Sequence, residues 1–169
     1  MNQNQADEPW LRGTLGDVAP VPRAVLHALE LAKEDIERWC GGLSDEQLNA
    51  HPSGIAPLAF HFRHIARSID RLLTYAEGRQ LTGEQTAALK SELSGAATKN
   101  ELFAEVNAAF EKSAERIRAL DATRLNDARE VGSRRLPATV GGLLVHVAEH
   151  TQRHVGQAIT TAKIVATEH

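Results

Sequence analysis

The chain has 169 residues, 42% hydrophobic and 24% charged, which suits one globular domain with a single core. A formal charge of -3 without a basic run argues against a nucleic-acid partner, and a lone cysteine, Cys40, excludes a disulfide framework or a cysteine-rich zinc site. The polar, acidic start, Met1 to Glu8, does not resemble a signal peptide, and no run of about 18 apolar residues exists to cross a bilayer, so a cytoplasmic protein with no membrane partner is expected.

Residues 1–21 carry Pro9, Gly13, Gly16 and Pro20 at short intervals and read as an irregular arm, with Trp10, Leu11 and Leu15 available to pin it to a helical body. The remaining residues, 22–169, read as one domain. Pro22 suits a first helical turn, and Val25, Leu29, Ala32, Ile36 and Trp39 form the stripe of a first long helix that Gly41-Gly42 stops. Ser44-Asp45-Glu46-Gln47 has capping-box spacing and opens a short helix ended by His51-Pro52-Ser53-Gly54.

Pro57 starts a second long helix, with Leu58, Phe62, Ile65, Ile69, Leu72 and Ala76 as its apolar stripe and Gly78 as its end. Thr82-Gly83-Glu84-Gln85 predicts a further capped helix to about Leu93. Thr98-Lys99-Asn100-Glu101 caps a third long helix through Phe103, Val106, Phe110, Ile117 and Leu120. After a break at Arg134-Arg135-Leu136-Pro137, Thr139 can cap the fourth, whose seam is Leu144, Val147, Thr151, Val155, Ala158, Ala162 and Val165. No segment reads as a strand hairpin. The expected fold is therefore all-α: an up-and-down-type four-helix bundle with short extra helices in its connections.

Two polar patterns run beside these apolar stripes. On the second long helix His61, His64, Ser68, Arg71 and Tyr75 recur at helical spacing and form a seam that could line a pocket. On the fourth, His146, His150 and His154 lie four residues apart, so adjacent members stack on one face. A His-x-x-x-His pair supplies two imidazole donors, whereas a catalytic centre normally takes three protein ligands and keeps a position open. The third must come from His61 or His64, and the set taken here is His64, His150 and His154.

Any one of these histidines, alone, reads more simply as an ordinary surface or core residue. Their clustering on two apolar helices favours a metal, because a cation removes the mutual repulsion and the unmet polar groups that buried imidazoles otherwise carry. His27, His51 and His169 have no partner at ligand spacing. Cys40 reads as a small buried residue rather than a nucleophile. Arg71, Tyr75 and Arg153 fit a solvated or rim role better than substrate contact. His146-Val147-Ala148-Glu149-His150 also matches the inverted-zincin pattern, but a small strand-poor chain lacks the framework of such a peptidase, and Glu149 reads as a solvated helix charge.

The segments Ala59-Phe60-His61-Phe62-Arg63-His64-Ile65-Ala66 and His146 to Gln157, taken together, resemble the DinB-like metal-binding four-helix bundles, a family that includes YfiT-type proteins and thiol-dependent transferases. The resemblance spans about Trp10 to Ile164. It implies a divalent metal, zinc or nickel, held by His64, His150 and His154. His61 then becomes a neighbouring pocket residue, and His146 lies one turn outside the ligands. Many relatives carry an arginine directly after the last ligand, where this chain has Val155 before Gly156-Gln157.

The resemblance further implies a metal-dependent thiol S-transferase-like enzyme acting on a small-molecule electrophile with a low-molecular-weight thiol. Metal-dependent hydrolysis is the alternative reaction, and a non-catalytic, stress-associated metal-binding module the alternative class. Apolar surface left over on the long helices suggests a homodimer.

Overall fold

The structure, a computed structural model, describes residues 7–93 and 95–167; residues 1–6 of the expected arm, Ser94 and His169 lie outside the described residues. Six α-helices and one hairpin make up its regular elements: α1 (Pro20–Cys40), α2 (Asp45–Asn49), α3 (Leu58–Ala76), α4 (Gly83–Lys90), α5 (Lys99–Ala119), β1 (Ala128–Val131), β2 (Leu136–Thr139) and α6 (Val140–Thr167). All three predicted capping boxes form, at Ser44, Thr82 and Thr98, each satisfying backbone N–H groups that a helix start leaves without an internal partner. Gly78, at φ +81°, ends α3 in a Schellman motif, with Arg79 N–H donating to the Thr74 carbonyl at 3.0 Å.

The four long helices α1, α3, α5 and α6 form the expected four-helix bundle, in up-down-down-up rather than simple up-and-down order, with α6 packed along both α1 and α3, and α5 along α3. Their directions follow from cross-helix pairs. Gln152 reaches the Ala28 carbonyl, and Gln47, just beyond α1, reaches Val165, so α1 and α6 run the same way. Arg67 meets Glu105 while Glu77 meets Arg116, so α3 and α5 also run together; the pairing of His64 with His150 against that of His61 with His154 sets α3 antiparallel to α6.

Parallel α3 and α5 require the chain to travel back the length of α3 between them. Residues 77–98 make that return, fastened in order along α3: Gln85 to Asp70 and Thr74, the Ala88 carbonyl and Ser91 to Arg67, Glu92 to Arg71 and His64, and the Gly95 carbonyl to Arg63. The core lies between the long helices, with Phe62, Ile65, Ile69, Leu73, Val106, Ile117, Leu144 and Val147 essentially sealed from solvent.

Several sequence expectations need correction. α1 begins at Pro20 rather than Pro22, and α4 ends at Lys90 rather than near Leu93. Trp10 and Leu11 remain exposed, whereas Leu15 packs against the core as expected, joined by Val18, by Arg12 bridging Glu30 and Glu34, and by Thr14 hydrogen-bonded to the buried His27.

The segment read as a break before α6 contains an antiparallel β-hairpin in which Ala128 faces Thr139 and Val131 faces Leu136. Its strands are four residues long, show no clean apolar alternation, and include Pro137, which a two-stranded ribbon tolerates because both strands are edges. Arg129 anchors it through the Ala76 carbonyl at 2.7 Å. Thr139 does cap α6, accepting from Gly142 N–H at 3.0 Å. Gly141 lets the preceding segment close in, since a Cβ there would sit 3.2 Å from the Leu125 carbonyl oxygen. No described helix is long and apolar enough to cross a membrane.

Ile69, fully buried where α3 meets the core, gives a direct measure of that packing. Ile69→Ala is expected to cost about 2–5 kcal/mol in denaturant unfolding, through lost burial and an unfilled cavity. A cost under about 0.5 kcal/mol, the range of ordinary surface substitutions, would contradict the core assigned here.

Candidate metal centre

The antiparallel crossing of α3 and α6 brings the two polar stripes face to face. His64 Nε2 lies 2.8 Å from His150 Nε2, and the His64 ring centroid is 4.3 Å from that of His154. One nitrogen from each of His64, His150 and His154 falls within 4.8 Å of the others, a group that could hold a metal ion. Phe60 stacks on the His64 ring at 5.3 Å and presents an edge toward His61 and His154, covering one side of the cluster with an apolar plate.

Burial, and second the repulsion that a proton on His64 would exert, pushes the His61, His150 and His154 imidazoles down to about 4. They are therefore neutral near pH 7, the state that offers a lone pair. Glu92 fixes the tautomer of His64. Its carboxylate can only accept, so the 2.6 Å contact to His64 Nδ1 places the proton there and leaves Nε2 as the free donor atom. Burial opposes ionisation of Glu92, but hydrogen bonds from His64 and Arg71 and the Arg71 charge outweigh it and hold the carboxyl below its ordinary range. Arg71 lies 2.7 Å from the second carboxylate oxygen.

With His64 Nε2 unprotonated, His150 must donate across the 2.8 Å contact, which strands its Nδ1 as a buried atom without a hydrogen-bond partner. Three neutral, borderline-soft imidazoles, one of them oriented by a buried carboxylate, fit a divalent first-row ion.

The remaining predicted residues divide. His61 is buried beside the cluster with its Nδ1 3.1 Å from His154 Nδ1, so it is placed to orient that ring. Arg71 is not a rim residue: it reaches the cluster through Glu92. Ser68 donates to the Ile65 carbonyl of its own helix, and Tyr75 packs with Ala76 and Leu143 in a small apolar cluster toward the hairpin. His146 sits one turn from His150, half-exposed, bonded through Nδ1 to Glu149 at 2.6 Å, and is not part of the three-histidine group. Glu149 also meets Arg153 and stays on the solvent side. Val155, directly after His154, is buried in the core.

Sequence reasoning missed Glu92 and Phe60. Phe60 had a signal, standing four residues before His64. Glu92 had none, because only the return path of residues 77–98 brings it to α3.

A family profile described as the DinB superfamily matches residues 28–158, a stretch containing all three histidines and most of the bundle. The chain belongs to the DinB superfamily. Comparison with curated proteins gives no match. Among solved structures, this DinB-superfamily chain is similar to a conserved protein from Enterococcus faecalis, with a TM-score of 0.73 and 16% identity over 89% of this chain and 99% of that one. That likeness extends to the fold.

Orientation of His64 by Glu92 carries a testable consequence for metal affinity. Glu92→Gln keeps the size of the side chain but removes its charge, and should weaken zinc binding about 10–100-fold in competition with a chromophoric chelator. Equal affinity in both proteins would detach Glu92 from the centre.

Proposed function

We propose that this protein is a divalent-metal-dependent enzyme that activates a thiol for transfer to a small electrophile, with zinc or nickel held by His64, His150 and His154. The observation that carries the reading is the composition of the donor group: among the described residues it holds three histidines and no fourth histidine, cysteine or carboxylate. Three protein ligands leave room for an exchangeable one, as catalytic centres require and structural sites do not. When bound, such an ion supplies a Lewis-acid position at which a thiol or water loses its proton more readily.

The protein's own groups account for the rest. Glu92 holds the proton on His64 Nδ1, Arg71 keeps Glu92 ionised, and His61 is set to hold the far nitrogen of His154. Phe60 stacks on the His64 ring and covers one of its faces. The nucleophile is not supplied by the chain's single cysteine: Cys40 is fully buried, and burial followed by the nearby Asp35 charge pushes its thiol up to about 12. A thiol nucleophile must therefore arrive as a cosubstrate, which favours a low-molecular-weight thiol.

Elemental analysis of untagged protein should find close to one divalent ion per chain in the wild type and near-complete loss in His150→Ala and His154→Ala. Stoichiometric metal retained by both variants would sink the ligand assignment. Loaded and metal-free protein should then be compared for conjugation of a small thiol to electrophiles and for ester and amide hydrolysis. Metal-dependent hydrolysis without conjugation would replace the thiol reading, and loaded protein inert in every assay would leave a binding module.

A further inference from the structure

An open cleft of about 600 Å³ separates the β1–β2 hairpin from the facing turns of α3 and α6. Its walls include Leu72 from α3, Val131, Pro137 and Ala138 from the hairpin, and Leu143 from α6, with Thr139 and Gly142 where the hairpin enters α6, and it reaches His146. Among the described residues, no aspartate, glutamate, lysine or arginine lines it. The backing is firm, because buried Tyr75, Ala76 and Leu143 pack beneath the wall formed by Leu72, Val131 and Ala138. The hairpin is held at a fixed distance from the helices by Arg129 on the Ala76 carbonyl and by the Val140 N–H to Asp127 carbonyl bond at 3.1 Å.

The cleft reaches to within one helical turn of the histidine centre. The ring of His146 lies 5.2 Å from that of His150, so a molecule in the cleft has one end a single helical turn from the proposed ligands. Glu149 engages His146 at Nδ1, which leaves Nε2 as the nitrogen available to a ligand.

We propose that this cleft seats the uncharged, apolar group of the electrophilic substrate, with the reacting end directed past His146 toward His64, His150 and His154. The proposal rests on the metal-enzyme reading and adds a substrate class to it. The lining decides that class: five apolar side chains favour an aromatic or branched aliphatic group, which gains from burial there, over a charged one, which finds only the Thr139 hydroxyl and His146 as polar side-chain partners. His146 becomes the polar marker of the reacting end.

The test uses 2-naphthol as a neutral probe and 2-naphthoate as its charged counterpart, titrated into zinc-loaded and metal-free protein and followed by amide shifts in 1H–15N spectra. The expected result is 2-naphthol shifts concentrated at Leu72, Val131, Ala138, Leu143 and His146, with 2-naphthoate binding at least about tenfold more weakly. Ala138→Trp, which fills the cleft from its hairpin side, should abolish the 2-naphthol response while zinc content stays at the wild-type level.

Absent or scattered shifts in the wild type, or equal binding of the two probes, would overturn the proposal without needing the variant. Zinc content of the same samples separates the two ideas. Zinc retained with no naphthol response removes the cleft alone. A naphthol response in protein that never holds zinc removes the metal reading, and with it the role of the cleft as a substrate site.

Discussion

The bundle depends on one topological constraint: α3 and α5 run in the same direction, so the chain must retrace α3 before α5 can begin. A long connection of this kind costs loop entropy and exposes backbone unless it is fastened. Here α3 does the fastening, through Arg63, Arg67, Asp70, Arg71 and Thr74 in succession. Most of these contacts go to carbonyls or to partly exposed side chains. Glu92 is the exception, a buried carboxylate between Arg71 and His64, and the connection thereby becomes part of the site.

That one contact settles much of the electrostatics. A buried carboxylate needs compensation, which Arg71 and the Nδ1–H of His64 provide together. Once the proton of His64 is committed to Glu92, its other nitrogen has to face the remaining histidines as a lone pair. His150 must then spend its own proton on that contact, leaving the buried Nδ1 without a partner. An ion replaces this imperfect N–H···N pairing with coordination, which is why the donor chemistry fits a cation better than a set of core histidines.

The sequence made the helices legible because each carries both a start signal and a stripe: the boxes at Ser44, Thr82 and Thr98, the stop at Gly78, and apolar residues at helical spacing. The histidines were legible for the same reason, since four-residue spacing on one helix and three-residue spacing on another define faces without knowledge of the fold. Glu92 and the hairpin were not. A carboxylate in the sequence Lys90-Ser91-Glu92-Leu93 has no periodic context, and its burial exists only once residues 77–98 lie against α3. Ala128–Val131 and Leu136–Thr139 are too short and too polar to announce strands, and they pair because Arg129 and the backbone before α6 hold them against the helix ends.

Separation of the core from the histidine stripe bears on what the metal would be for. On α6, Leu144, Val147, Val155, Ala158, Ala162 and Val165 enter the main core, while His150 and His154 occupy the adjoining stripe; on α3, Phe62, Ile65, Ile69 and Leu73 do the same beside His61 and His64. Helices α3 and α6 are thus already joined by apolar packing over much of their shared length. Small metallo-domains need an ion because they lack such a core, and their site closes around it with four ligands. In this bundle the apolar scaffold is complete beside the three-histidine group. A core that joins the helices beside the histidine group is the physical ground for proposing that an ion there would serve reaction rather than act as a clasp.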